Sequence, residues 1–275
     1  MSKSFILSIG VDRYESDSIG NLKWAVADAT AFYERALKGR EKSSLKSRLL
    51  INDDATTRTI RESLGEWLAT ASRADNVIIF FAGHGAREIP PLGEIGSTME
   101  TYLLSSDTQV DHLYSTGISL TNELPIILKR IPASNITLLF DCCLSGAARI
   151  PTGPERARGI DGPNLTKMKN LSDVPLNAAV VLPGGGTHDI GDGITTITAS
   201  GPEQAAMESD ELEHGVFTYS LLKAMRENSQ PGSPSSPPLG RLYSETTRLV
   251  MNHTAGRQVP MLVGRLSDQR LFVGN

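Results

Sequence analysis

Two residues in this chain stand where a nucleophile and a base are needed. Ile136 to Phe140 is an unbroken apolar and β-branched run, followed by Asp141-Cys142-Cys143-Leu144-Ser145-Gly146. Such a run reads as a strand buried on both faces, as in a parallel sheet covered by helices. Val77 to Phe81 has the same form and ends in Ala82-Gly83-His84-Gly85. α/β sheets gather their chemistry at the carboxyl ends of such strands. A thiol at 143 and an imidazole at 84, each just past a core strand, supply what thiol nucleophilic catalysis requires. Cys142 reads as a small core residue, because successive side chains in extended backbone face opposite ways.

The elements that must hold these tips follow from the rest of the pattern. The 275 residues are 39% hydrophobic, enough for a sizeable core. A net charge of −4, with basic residues scattered among acidic ones, gives no nucleic-acid or anionic-membrane signal. Neighbouring cysteines cannot staple a domain, so reduced thiols and a cytoplasmic setting are expected. The N-terminus reads as a first strand rather than a signal peptide, and no apolar run is long enough to span a bilayer.

Ser4 to Val11 is predicted as that strand, and a helix from Asn21 presents Ala25, Ala29, Phe32 and Ala36 on one stripe, with Asp28 off it. Arg48 to Ile51 makes a second strand, and a helix from about Thr57 buries Ile60, Leu64, Trp67 and Leu68. Tyr102 to Leu104 is a short strand, and Thr121 is expected to cap a helix ending near Arg130. Residues 147–193, rich in glycine and proline, read as one long mobile loop. Thr195 to Ala199 resumes the sheet, and helices follow over Gly215 to Met225 and Leu239 to Met251. A Pro/Ser-rich loop at 230–238 separates those helices, and Gln258 to Val263 with Leu271 to Val273 can close the sheet edge. Alternation of strand and helix predicts a single α/β domain over residues 1–275 with a mainly parallel sheet.

With both strand tips in view the chain resembles the caspase and metacaspase clan of cysteine peptidases, nearer to metacaspases and bacterial caspase-like proteins than to animal caspases. The resemblance rests on Phe80 to Gly85, Phe140 to Gly146, Asn21 to Asp28 and Gly215 to Thr218, in that family's order. The caspase-specific Gln-Ala-Cys is absent, and Ala82 stands where metacaspases often carry Ser. The resemblance implies a three-layer sandwich with a six-stranded sheet between helices. It also implies Cys143 as nucleophile, His84 as general base and acid, and backbone N–H groups of Gly85 and Cys143 as oxyanion donors. In the metacaspase branch the positions matching Asp28 and Asp141 line the primary pocket, so the resemblance implies cleavage after Arg or Lys.

An Arg-specific protease with basic residues close behind its nucleophile is expected to cut itself, and Arg149, Arg156 and Arg158 are the candidates. Many metacaspases use calcium. Here Glu88, Glu94, Glu100 and Asp107 lack the dense acid run of a site with six to eight oxygen ligands, so no metal or other cofactor is expected. Adjacent cysteines and the absence of a suitably spaced His pair also argue against zinc. His112, His188, His214 and His253 read as surface or loop residues. Expected partners are protein or peptide substrates with a basic residue before the cut. From the family, a role in defence or cell death with a pore-forming or toxin effector as target is a further expectation. The rival reading is a catalytically silent scaffold or signal-binding module with the same fold.

Overall fold

The computed structural model describes residues 2–88, 100–144, 156–161, 193–201, 204–228, 235–264 and 270–272. Five parallel strands form the body of the main sheet: β1 (Ser4–Gly10), β2 (Leu45–Ile51), β3 (Asn76–Ala82), β7 (Asn135–Asp141) and β10 (Ile194–Thr198). β13 (Met261–Gly264) adds antiparallel to β10, so the order is β13-β10-β7-β3-β1-β2.

Period-two alternation splits these strands between two cores. Ile78, Phe80, Ala82 and Leu139 pack with α1 (Ala25–Leu37), α5 (Val216–Asn228) and α6 (Leu239–Thr254) on one face. Val77, Ile79, Phe81, Leu138 and Phe140 pack on the other against α2 (Thr57–Glu62) with its π- and 3-10-helical continuation through Thr70, and against α4 (Glu123–Leu128). The result is the expected three-layer sandwich. Cys142 joins the second core and Cys143 the first, on opposite faces as the alternation requires.

A four-stranded sheet and a three-stranded sheet sit outside this sandwich. The larger is built from β4 (Gly85–Glu88), β5 (Glu100–Leu103), β6 (Ile118–Ser119) and β9 (Gly159–Asp161), in the order β6-β5-β4-β9, with the single-turn helix α3 (Leu113–Thr116) between β5 and β6 in the chain. The smaller contains β8 (Arg156–Ala157), β11 (Met207–Ser209) and β12 (His214–Gly215), in the order β12-β11-β8.

Several elements differ from the sequence reading. α1 begins at Ala25 rather than Asn21, because Asp12 reaches from the end of β1 to accept the N–H groups of Ala25 and Val26 at 2.7 and 3.2 Å. Asn21 instead accepts the Tyr14 N–H. Thr121 does not cap α4; its hydroxyl accepts the Thr101 N–H and ties that helix entry to β5. Within 147–193, residues 156–161 form strands rather than loop, and both strands add to edges of the outer sheets. The remainder of that stretch up to 192, and 230–234 of the Pro/Ser-rich loop, lie outside the described residues. No described helix is long and apolar enough to cross a membrane.

Candidate active site

β3 and β7 are neighbours in parallel register, with Ala82 opposite Asp141, and the Gly83 N–H donates to the Asp141 carbonyl at 3.3 Å. The two strands therefore end level, and His84 and Cys143 each follow two residues later. α1 crosses close to the end of β1: a Cβ at Gly10 would lie 2.7 Å from the Ala25 carbonyl oxygen and 2.7 Å from the Ala29 Cβ. That close approach brings Asp28, one helical turn in, to the same sheet end. Asp28 is wholly buried, so its place off the apolar stripe does not put it on a solvated face.

The acids do not enclose an empty cavity. Among the described residues Arg158 is the largest fully buried side chain, and its guanidinium sits among three carboxylates. Nη2 meets Asp28 Oδ2 at 2.5 Å and Glu208 Oε1 at 3.0 Å, while Nη1 meets Asp141 Oδ2 at 3.2 Å and donates to the Asp141 carbonyl at 3.1 Å. A planar guanidinium suits such multidentate contact better than an ammonium. Burial disfavours its charge, but the fields of Asp141, Asp28 and Glu208 outweigh this and hold its pKa above the usual value. The acids are oriented in turn. Thr218 donates through both N–H and hydroxyl to Asp141 Oδ2, Gly215 N–H and the His214 ring meet Asp28, and the N–H groups of Lys23 and Trp24 donate to Glu208.

The backbone of the same segment runs through the cleft in extended form. Ala157 and Arg156 pair antiparallel with Met207 and Glu208, and the Arg158 N–H donates to the Ala206 carbonyl at 3.0 Å. The Arg158 carbonyl oxygen accepts two N–H bonds, from Cys143 at 2.8 Å and from Gly85 at 3.2 Å. Beyond it, Gly159 to Asp161 pair in parallel with Gly85 to Arg87.

The thiol and the ring are both buried beside this segment. The Cys143 sulfur accepts the Ala206 N–H at 2.8 Å, and the His84 ring shares a hydrogen bond with the Gly20 carbonyl through Nε2 at 2.8 Å. His84 Nδ1 has no partner, so the direct thiol–imidazole hydrogen bond of an assembled dyad is absent. Burial pushes the Cys143 thiol up to about 12 and His84 down to about 4, so both are uncharged at neutral pH in this arrangement.

Sequence reasoning missed four contributors. Glu208 completes the acid trio, and the Tyr14 hydroxyl oxygen accepts the His84 N–H at 2.8 Å. The Gly20 carbonyl orients the ring. His214, expected at the surface, places Nδ1 2.6 Å from Asp28 Oδ1 with its side chain 23% exposed. None carries a local motif; each is recruited by pairing between segments distant in the chain. Of the basic candidates for self-cutting, Arg158 alone is seen in the acid pocket. Arg156 contributes backbone to β8, and Arg149 lies outside the described residues. Glu94 and His188 also lie outside them, and among the described residues no group of three or more His, Cys, Asp or Glu side chains is arranged to hold a metal.

Comparison with known proteins agrees with this architecture. A crystal structure of a structural-genomics target from Geobacter sulfurreducens superposes with a TM-score of 0.66 at 15% identity, covering 96% of this chain and 95% of that one. Caspase-1 from Spodoptera frugiperda superposes with a TM-score of 0.57 at 10% identity, covering 96% and 86%. At such identities the likeness speaks for the fold alone. Comparison with curated proteins gives no match. The family profile described as the caspase domain matches residues 3–271. A chain matched over nearly its whole length, with a six-stranded sandwich of this order, belongs to the caspase-domain peptidase family.

Proposed function

We propose that this chain is a cysteine endopeptidase that cuts protein substrates after a basic residue, and that its first substrate is its own Arg158–Gly159 bond. The observation that carries this reading is the double hold on Arg158: side chain among three acids, carbonyl oxygen on two convergent N–H groups. A residue held so is presented as the one before a cut. Attack of the Cys143 sulfur on the Arg158 carbonyl carbon would move charge onto the oxygen already facing the Gly85 and Cys143 N–H groups. His84, whose Nδ1 is unpartnered, would take the thiol proton and pass it to the Gly159 nitrogen as the peptide bond breaks. Water would then release the acyl-enzyme as the Arg158 carboxylate and regenerate the thiol.

The uncut chain is latent on this reading. Moving a proton from a thiol near 12 to an imidazole near 4 is steeply uphill, so loosening of the segment or entry of water must precede attack. Once cut, the acid pocket becomes available to a substrate Arg or Lys. A silent scaffold would draw on the same occupancy, with the cleft permanently filled.

Intact-mass analysis of the full chain tests the proposal. Wild type is expected to break between residues 158 and 159, while Cys143→Ala and Arg158→Ala stay whole at that bond. An Arg-ended chloromethyl ketone should label Cys143 after the break. An unbroken wild-type chain that never labels would favour the scaffold.

A further inference from the structure

We propose that the cleft has a second specificity site beyond the cut, which takes glycine first and a branched apolar residue second. This inference rests on reading residues 156–161 as a bound substrate segment, and it extends that reading to the side from which the leaving strand departs.

Two observations carry it. A Cβ at Gly159 would lie 2.5 Å from the Cys143 Cβ, and Cys143 is wholly buried at the end of a core strand. Neither partner is a flexible side-chain tip, so any residue larger than glycine must displace backbone at the nucleophile itself. Gly85, directly opposite in the strand pairing, meets the same crowding: its Cβ would overlap the Cys143 carbonyl. Glycine on both strands is what lets the segment approach the thiol.

The next residue faces a different environment. Ile160 pairs with Ala86 and packs against an apolar cluster separate from both sheet cores, made of Ile19, Ala86, Tyr102, Leu104 and Leu113. These come from the loop after β1, from β4, from β5 and its end, and from α3, so the outer sheet with its short helix forms the wall of this pocket. Addition of a strand to the β4 edge supplies main-chain affinity, and the pocket supplies side-chain choice. A substrate in trans would use the same edge once its own segment has left. The substrate class is therefore an extended segment with Arg before the cut, Gly after it, and Ile, Val or Leu next.

Internally quenched peptides copying residues 155–162 test this with the full-length chain, the cut position being read by mass. Gly159→Val and Ile160→Asp in the peptide should each lower kcat/KM by about tenfold or more, whereas Ile160→Val should be near neutral. An Ala-Arg coumarin amide, which has no residue beyond the cut, reports the proposed activity separately. Turnover of the amide with equal rates on all peptides would overturn this inference and leave the proposed activity standing. A measurement without catalysis covers the case in which nothing is turned over. In the inert Cys143→Ala chain, adding Ile160→Asp should loosen residues 159–161 from the β4 edge and speed trypsin cleavage at Arg158 by about tenfold. Unchanged trypsin resistance would overturn the inference whatever the peptides do.

Discussion

Arg158 and Asp28, 130 positions apart in the chain, meet at 2.5 Å with both side chains fully buried. Burying a cation among acids has a large desolvation cost, repaid only when geometry and hydrogen bonding are good. The arrangement therefore holds the segment firmly while its charge partners remain, and weakens sharply if one is removed. Several expected outcomes follow from that balance.

Arg158→Gln leaves three acids without their cation, a change of the kind that costs about 3–5 kcal/mol in buried pairs. The segment should undock, water should reach the thiol, and its pKa should fall from about 12 toward the ordinary thiol range. Alkylation of Cys143 by iodoacetamide at pH 7.5, read on its tryptic peptide, is expected to rise at least tenfold over the uncut wild-type chain. Cys142, packed in the opposite core, should stay unreactive in both.

Gly215→Ala tests the acid pocket without touching thiol or imidazole. A Cβ there would lie 2.5 Å from Asp141 Oδ2 and 2.9 Å from the Arg158 guanidinium carbon. Narrowing of this kind costs about 1–3 kcal/mol, so kcat/KM on Arg peptides should fall roughly tenfold to a hundredfold. Labelling of Cys143 by iodoacetamide in the processed enzyme should change less than about twofold, since the crowding falls on the carboxylate end.

Asp141 is expected to set the pH dependence of binding. Burial, with the charge of Asp28 adding to it, raises its pKa to about 6 against the opposing field of Arg158. An acid raised in this way is ionised above that value and neutral below it. As pH falls through about 6, the pocket loses one negative charge, so KM for an Arg peptide should rise while kcat changes less. Steady-state kinetics from pH 5 to 8 would show it, and a KM flat across this range would contradict the assignment.

Chelation is expected to leave the rate unchanged within about twofold, in line with the sparse acids around β4 and β5. Glu100 already accepts from the Tyr102 hydroxyl and the Asn122 amide, and Asp107 is taken by the N–H and hydroxyl of Thr57 and by Ser105. Peptide turnover with and without EDTA checks this.

The two central strands and the residues at their tips were legible in the amino-acid order, because a doubly buried strand must be written as a continuous apolar run and its end must be marked by residues of another kind. Ile136 to Phe140 and Val77 to Phe81 satisfy that, and so do the facing directions of Cys142 and Cys143. The start of α1 was not legible, since its first N–H groups are satisfied by Asp12, a residue outside the helix and 13 positions before Ala25. Nor were Glu208 and His214, which reach the pocket only because β11 and β12 pair beside α1.

The sequence by itself determined the sandwich, the thiol and imidazole at level strand ends, and the basic residues that follow. Only the tertiary structure decided which of those residues enters the acid pocket, and that the thiol and ring stay apart while it is there. Local pattern records how a residue suits its own strand or helix, but the choice of Arg158 depends on strand register on both sides of it, where β8 meets β11 and β9 meets β4. That register is fixed by contacts between segments far apart in the chain, and no window along the chain contains both partners.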